Sequence, residues 1–303
     1  MTGFDRTAVG AIAAEVVGRH DEIEVVVAAL AAGRHVLLEG PPGTGKSSLL
    51  RALTRATGTV LVFVEGNAEL TPARLVGSFD PARVLTDGYA PDVFLDGPLT
   101  EAMREGAVLY IEEINRVPEE TLNVVITAMS ERELHIPRLG RVAAEPGFRV
   151  VAAMNPFDAI GTARISSAVY DRVCRVAMDY QSAAQENEIV ARESGSTGAG
   201  ALGNRAVRVT RATRDHPDVR VGSSVRGAID LVLLADRLAE LRDGTATDER
   251  TGLDAALAAL TGRVRVRDGC GRTAESIVRE LWEAHPLEVD DRTVDTGGDG
   301  PKA

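Results

Sequence analysis

Val36-Leu37-Leu38-Glu39-Gly40-Pro41-Pro42-Gly43-Thr44-Gly45-Lys46-Ser47-Ser48 is the stretch on which the fold turns. An apolar run of strand length, Val36–Leu38, feeds G-x-x-x-x-G-K-[ST], and a helical run follows over Ser48–Thr57. Strand, glycine-rich loop and helix in that order make a phosphate-binding loop. Glycines let the backbone take φ > 0 and draw its N–H groups around an anion. The helix N-terminus adds a positive dipole end. Gly40, Pro41, Pro42, Gly43, Thr44, Gly45, Lys46, Ser47 and Ser48 are therefore the candidate nucleotide-binding residues. Lys46 reaches the β- and γ-phosphates, and the Ser47 hydroxyl coordinates Mg²⁺. The chain has only two lysines, Lys46 and Lys302, beside 32 arginines. It keeps lysine where a compact ammonium is needed rather than a planar fork.

Outward from this loop, short apolar runs alternate with amphipathic stretches as far as about Tyr180, which predicts an α/β layer with a mainly parallel sheet. The strands are expected at Val36–Leu38, Val60–Val64, Val108–Ile111, Phe148–Ala153 and Val173–Met178, after helices over Ala8–Val17 and Glu22–Ala32. Gly33 reads as a helix stop. Beyond Tyr180 the strand signals vanish. Helices are expected over Ala184–Glu193, Gly203–Arg214, Ser224–Arg242, Gly252–Gly262 and Thr273–Ala284, broken by Gly195–Gly200, His216-Pro217 and Asp243-Gly244. The expected organisation is an α/β core over 1–180, an all-α domain over 181–287 and a disordered tail over 288–303.

Composition narrows the class. At 303 residues the chain is long enough for about two domains. Hydrophobic residues at 44% and charged residues at 26% fit a globular protein, and no apolar run approaches the ~18 residues of a spanning helix. The N-terminal stretch lacks the basic and apolar segments of a secretory signal, so a cytoplasmic location is expected. Two cysteines and five scattered histidines give neither a disulfide framework nor metal-ligand spacing. A net charge of −11 repels phosphate backbones on average.

Two further strand ends carry candidate chemistry. Val108–Ile111 runs into Glu112 and Glu113, where one carboxylate can hold the magnesium water shell and the other can orient attacking water. Strand alternation predicts that they point to opposite faces. Phe148–Ala153 ends in Met154-Asn155-Pro156, and the Asn155 amide could donate to a γ-phosphate or hold the lytic water. Arg164 and Arg172 lie shortly beyond, where an arginine could reach a γ-phosphate, in the same or a neighbouring subunit.

Together these residues resemble the AAA+ ATPases, and within them the MoxR family. The resemblance is carried by GRHVLLEGPPGTGKSS (33–48), VLYIEEINRVPEE (108–120), ERELHIPRLGR (131–141), VVAAMNPFDAIGTARISSAVYDR (150–172) and DHPDVRVGSSVRGAIDL (215–231). It implies that Lys46 and Ser47 belong to Walker A, Glu112 and Glu113 to Walker B, Asn155 to sensor 1, Arg172 to the arginine finger and Arg226 to sensor 2. It also implies a hairpin inserted at about 134–144, an insertion over Glu69–Gly97, and a helical lid. ATP and Mg²⁺ are the implied cofactors. A homo-oligomeric ring, a hexamer, acting on a protein client with a von Willebrand factor A domain partner is the implied setting. The chain departs from the family in one place: Walker B carries Glu112 where Asp is usual. The extra methylene moves the carboxylate by about a bond length, against a cation that wants oxygens at ~2.0–2.1 Å. Hydrolysis is expected to survive, its rate left open.

Two other classes remain at this level. A nucleic-acid motor uses the same parts, and Arg205, Arg208, Arg211 and Arg214 are spaced three apart. That spacing drifts by ~60° per step, so the four wrap around a helix and read as a solvated or intersubunit face. With only 4% aromatics for base stacking, nucleic acid is not the expected partner. A nucleotide-gated scaffold with negligible turnover is the third class, hinted at by Glu112 alone. Cys174 reads as core, Cys270 as an exposed thiol, and Trp282 as packing.

Overall fold

The computed structural model describes residues 3–156, 166–195 and 199–288. Arg164 and the tail beyond Glu288 lie outside them. Residues up to Asp179 form one compact unit, and those from Tyr180 a second.

The first unit opens with α1 (Arg6–Glu15), whose N-terminal amides of Thr7 and Ala8 donate to the Asp5 carboxylate, and α2 (His20–Ala31). Then come β1 (His35–Glu39), α3 (Lys46–Thr57) and β2 (Leu61–Glu65). An irregular stretch holds α4 (Pro72–Val76), β3 (Gly77–Phe79), α5 (Pro81–Asp87) and β4 (Phe94–Asp96). It is followed by α6 (Pro98–Glu105), β5 (Val108–Glu112), α7 (Glu119–Glu131), β6 (Glu133–Ile136), β7 (Gly140–Ala143), β8 (Arg149–Met154), α8 (Ser167–Tyr170) and β9 (Val173–Ala177).

The five principal strands pair in parallel in the order β2-β5-β8-β1-β9. All five were expected from the apolar runs, within a residue or two at each end. Parallel strands are covered on both faces, so they read as continuous apolar runs instead of alternating ones. Alternation sorts their side chains: Leu37, Leu109, Val150 and Ala152 pack with Leu99, Met103, Leu122 and Val125 of α6 and α7. Val36, Leu38, Val108 and Val151 pack on the other face with Ile12, Ile23, Leu30, Leu49 and Leu53 of α1–α3. Register aligns Leu38 with Ala153 and Ile111 with Ala152. The carboxyl ends of β1, β8 and β5 therefore lie side by side, with β8 in the middle. This edge is where an open parallel sheet places its ligand.

A short antiparallel hairpin, β6 with β7, pairs Leu134 with Val142 and turns at Leu139. The Arg138 guanidinium lies 3.7 Å over the Tyr89 ring, tying the hairpin to the segment between α5 and β4.

The second unit contains α9 (Ala183–Ser194), α10 (Ala199–Asp215), β10 (Val219–Val221), α11 (Val225–Leu241), α12 (Glu249–Leu260), β11 (Arg265–Val266) and α13 (Ala274–Ala284). It is helical as expected, with one addition: β10 and β11 pair as a small antiparallel ribbon. Each is two or three residues long, too short for periodicity to register. The expected break over Gly195–Gly200 is also shortened, because Gly200 already lies within α10.

The arginine row requires a correction. It is not a solvated face. Arg205 is 2% exposed, forms a two-pronged pair with Glu249 at 2.8 and 2.9 Å, and stacks 3.5 Å over the Trp282 ring. Arg211 and Arg214 converge on the buried Glu186 at 3.0 and 2.8 Å, and Arg214 also stacks on Tyr180. Arg208 pairs with Glu288. The ~60° drift spreads these side chains around the cylinder, so that the row meets three different carboxylates, Glu249, Glu288 and Glu186. Cys270 is half-buried instead of exposed, and Cys174 packs half-buried at the edge of the core.

Candidate nucleotide site

The phosphate loop runs from the end of β1 into α3. Gly43 and Gly45 hold φ of 75° and 89°, which a side chain would strain, so the glycines of the motif are needed by its backbone. Gly45 stands at the N-cap of α3 and offers no side-chain acceptor. The first amides of α3 are thus left for an anion instead of being consumed by a cap. Thr44 is fully buried, its hydroxyl donating to the Pro41 carbonyl at 3.0 Å, and this pins the loop's inner turn. The Lys46 ammonium donates to the Gly40 and Pro41 carbonyls at 2.8 and 2.7 Å. It is folded over the loop, its charge held at the mouth of the amide nest. Ser48 follows Ser47 in the first turn of α3.

Ser47 also lies in that first turn, and its hydroxyl donates to Glu112 Oε1 at 2.8 Å across a sequence gap of 65 residues. That contact joins the first turn of α3 to the end of β5. Glu112 therefore reaches Ser47 despite its extra methylene. Mg²⁺ takes oxygen ligands, keeps several waters, and is commonly held by one or two carboxylates plus phosphate oxygens. A hydroxyl and a carboxylate meeting beside a phosphate loop supply such a set. Among the described residues there is no cluster of three acidic, His or Cys side chains that would form an all-protein metal cage.

Glu113 departs from the expected geometry. It is not governed by strand alternation, because β5 ends at Glu112 and Glu113 turns into the left-handed region, with φ 54° and ψ 44°. For a non-glycine residue that conformation costs of order 1–3 kcal/mol and clusters at functional sites. Its carboxylate pairs with Arg116 Nε at 3.1 Å while remaining partly exposed. The two glutamates are thus separated by the turn: Glu112 faces Ser47, Glu113 faces Arg116.

Asn155 follows the last residue of β8. The Gly40 amide donates to the Met154 carbonyl at 3.2 Å, and Asn115 Nδ2 approaches the Asn155 carbonyl at 3.5 Å. The end of β8 is thus strung between the start of the phosphate loop and the turn after Glu113. Arg172 lies elsewhere on this unit. Its guanidinium donates to the Ser130 hydroxyl at the end of α7 and, at 2.8 Å, to the Ala168 carbonyl, with about a third of the side chain exposed. Arg226 sits exposed in the first turn of α11, in the second unit. The structure therefore gathers Lys46, Ser47, Glu112, Glu113 and Asn155 at one sheet edge, while the contacts described for Arg172 are with Ser130, Ala168 and Asp171.

Sequence reasoning missed Tyr110. It is 2% exposed, with its hydroxyl 3.5 Å from Ser47 Oγ. Burial pushes its phenol well above the usual range, so it stays protonated. The available signal was the spacing: Tyr110 lies two residues before Glu112, so both side chains point to the same face of β5. Arg116 and Asn115, in the turn that carries Glu113, were also missed; no local pattern marks them.

Residues 35–173 match the family described as AAA domain (dynein-related subfamily). Uncharacterized protein SH1500 of Staphylococcus haemolyticus is 37% identical over 149 residues, 48% of this chain and 56% of that protein. Uncharacterized protein SAOUHSC_01413 of Staphylococcus aureus is 36% identical over the same shares. The chain thus spans about half the length of the curated relatives it matches. Among solved structures, a candidate ATPase from Cytophaga hutchinsonii superposes with a TM-score of 0.51 at 18% identity, covering 93% of this chain and 94% of that one. The RuvB Holliday junction branch migration motor of Thermotoga maritima gives 0.51 at 18% identity, covering 79% and 68%. At these identities the structural likeness speaks for the fold alone. Among the described residues, no helix is long and apolar enough to cross a membrane. Residues 35–173 are therefore similar to the AAA domain, in a chain that has the AAA+ P-loop NTPase fold followed by a helical C-terminal region.

Proposed function

We propose that this chain is an ATP-hydrolysing AAA+ motor of MoxR type, which uses nucleotide turnover to remodel or mature a protein client. The observation that carries the reading is the 2.8 Å contact between Ser47 and Glu112 at the mouth of an uncapped helix, beside an ammonium held over the loop. Lys46 and the loop amides of residues 43–48 bind the triphosphate, and Ser47 and Glu112 hold its Mg²⁺. The cation, when bound, neutralises charge on the β- and γ-phosphate oxygens. Glu113 orients and deprotonates the attacking water once released from Arg116, and Asn155 holds that water against the γ-phosphate. Arg172 serves as arginine finger in a ring of identical subunits, a hexamer in this reading, and Arg226 serves as sensor 2. A von Willebrand factor A domain partner and the client complete the proposal by family resemblance. The nucleic-acid reading loses its chief support, because Arg205, Arg208, Arg211 and Arg214 are engaged in pairs within their own unit.

Replacing Glu113 with Gln tests the reading. The variant should bind ATP within a few-fold of wild type and lose at least about 100-fold in turnover, as expected for removal of a general base. Near-normal turnover would reassign the water-orienting role. A wild-type protein that binds ATP without measurable turnover would establish the scaffold class instead. The trapped Glu113→Gln protein with ATP is also the bait with which to capture the client.

A further inference from the structure

A solvent-facing arginine is a poor tool for stabilising a transition state unless something holds it, because its long side chain samples many rotamers and must give them up on engagement. Arg172 is held at two points. Its Nε donates to the Ser130 hydroxyl, 42 residues away in sequence, and its Nη1 donates to the Ala168 carbonyl at 2.8 Å. Asp171 stands further off, with Oδ2 3.9 Å from Nη1. Among the described residues nothing bonds to Nη2, so its two N–H groups are the ones left to meet an arriving anion.

The two holders differ in kind. Ala168 belongs to α8, the short helix that runs straight into Arg172, so that bond is local. Ser130 lies in the last turn of α7, a 13-residue helix whose inner face is sunk in the core. Its Leu122, Val125, Ala128 and Met129 are buried in one cluster with Leu109, Val150 and Ala152 of the sheet. The Ser130 hydroxyl, itself on the exposed side of α7, is therefore carried by the rigid body of the unit and not by the segment that it holds. Nε is the root of the guanidinium. A bond there sets the plane of the fork, and with it the direction in which Nη2 points.

We propose that Ser130 is a positioning residue for Arg172: its hydroxyl holds the guanidinium from the end of α7, so that Nη2 is presented to the γ-phosphate bound by a neighbouring copy of the chain. The inference rests on the reading of Arg172 as an arginine finger and adds to it the residue that aims the finger. A donor held in place beforehand needs no reorganisation when charge develops on the phosphoryl oxygens. Its contribution falls on the transition state, so its loss should lower kcat and leave ATP binding alone.

The test is steady-state turnover beside equilibrium ATP binding, on the full chain. Ser130→Ala removes the hydroxyl at a helical position where alanine is the better helix former, so the melting temperature should not fall. Affinity for ATP should stay within about twofold, while kcat drops about tenfold, the lower end of what one hydrogen bond to a charged group supplies. Ser130→Thr keeps a hydroxyl and should recover most of the loss. Mixed rings then show which subunit the hydroxyl serves. Lys46→Ala protomers offer an arginine but hold no nucleotide, and Arg172→Ala protomers do the reverse. Ser130→Ala added to the Lys46→Ala protomer should cut the rescued turnover about tenfold. Added to the Arg172→Ala protomer, it should change that turnover less than about twofold. Full kcat in Ser130→Ala overturns the proposal. A loss that Ser130→Thr does not recover, or that is equal on whichever protomer carries the change, also overturns it, because Ser130 would then be a packing residue. Absence of rescue with Ser130 intact in both protomers would instead sink the reading of Arg172 as a finger acting on a neighbour.

Discussion

At the residue scale, the site depends on where side chains are absent as much as on which are present. Gly66 follows β2 and donates its amide to the Glu112 carbonyl at 2.7 Å. A Cβ there would lie 2.4 Å from the Glu113 carbonyl oxygen and 2.8 Å from that of Glu112. Those atoms are backbone and cannot swing aside, so the left-handed turn that carries Glu113 would have to move. Gly66→Ala should therefore leave ATP affinity within a few-fold, because the phosphate loop is untouched, and lower turnover at least tenfold. Steady-state rates beside equilibrium binding check this, and a parallel loss of both would show that the disturbance spreads to the glycine-rich loop before α3. Nothing in the sequence singles out Gly66 from the chain's 30 glycines. Lys46 and Ser47 were legible because their motif is local and contiguous. Gly66, Tyr110 and Arg116 act through strand pairing, same-face placement and a turn, each of which needs the assembled sheet.

Among elements, β1 and β8 show how the sheet edge is locked. His35 opens β1 at 7% exposure, and its Nδ1 accepts the Val150 amide at 2.9 Å, joining the two strands whose far ends carry the phosphate loop and Asn155. Burial lowers its pKa to about 4; a bond to the Met129 carbonyl opposes this, and Arg149, Arg132 and Arg34 add to it. The folded state therefore prefers neutral imidazole, while the unfolded chain protonates near the ordinary value of about 6.5. The contribution is fully present above about pH 6.5 and is lost as pH falls towards 4, to a total of about 3 kcal/mol. Urea melts from pH 7.5 to 4.5 should show wild type losing more stability across that window than His35→Gln, which can still accept from Val150. Parallel curves would refute this role. The strands themselves were legible because parallel strands buried on both faces are near-continuous apolar runs. The β10–β11 ribbon was not, since two or three residues carry no period. The arginines of α10 were misread for a related reason: spacing gives direction around a helix but not what packs there. Glu186, Glu249 and Trp282 come from three other helices.

At the scale of the whole molecule, the proposal that Arg172 is an arginine finger raises the question whether it would serve its own subunit or the next. Its guanidinium is anchored on one side by the Ser130 hydroxyl and the Ala168 carbonyl, and about a third of the side chain remains open to solvent. An arginine held through Nε and Nη1, with about a third of its side chain open to solvent, is suited to meet charge arriving from another copy of the chain. Planar guanidinium groups serve that purpose because two parallel N–H groups can meet a phosphoryl oxygen pair. Loss of such a finger costs about 10³–10⁵ in rate. Arg172→Ala should therefore bind ATP normally and hydrolyse almost none. Lys46→Ala should fail earlier, at binding, yet still present an intact Arg172. Mixed in one ring, the two defects fall on different sides of a subunit boundary wherever the Lys46→Ala protomer supplies the finger to an Arg172→Ala neighbour. Turnover should then reappear, peaking near equal proportions of the two variants and vanishing at either extreme. A finger acting within its own subunit would give no rescue at any ratio, because every protomer would then lack either its nucleotide or its arginine.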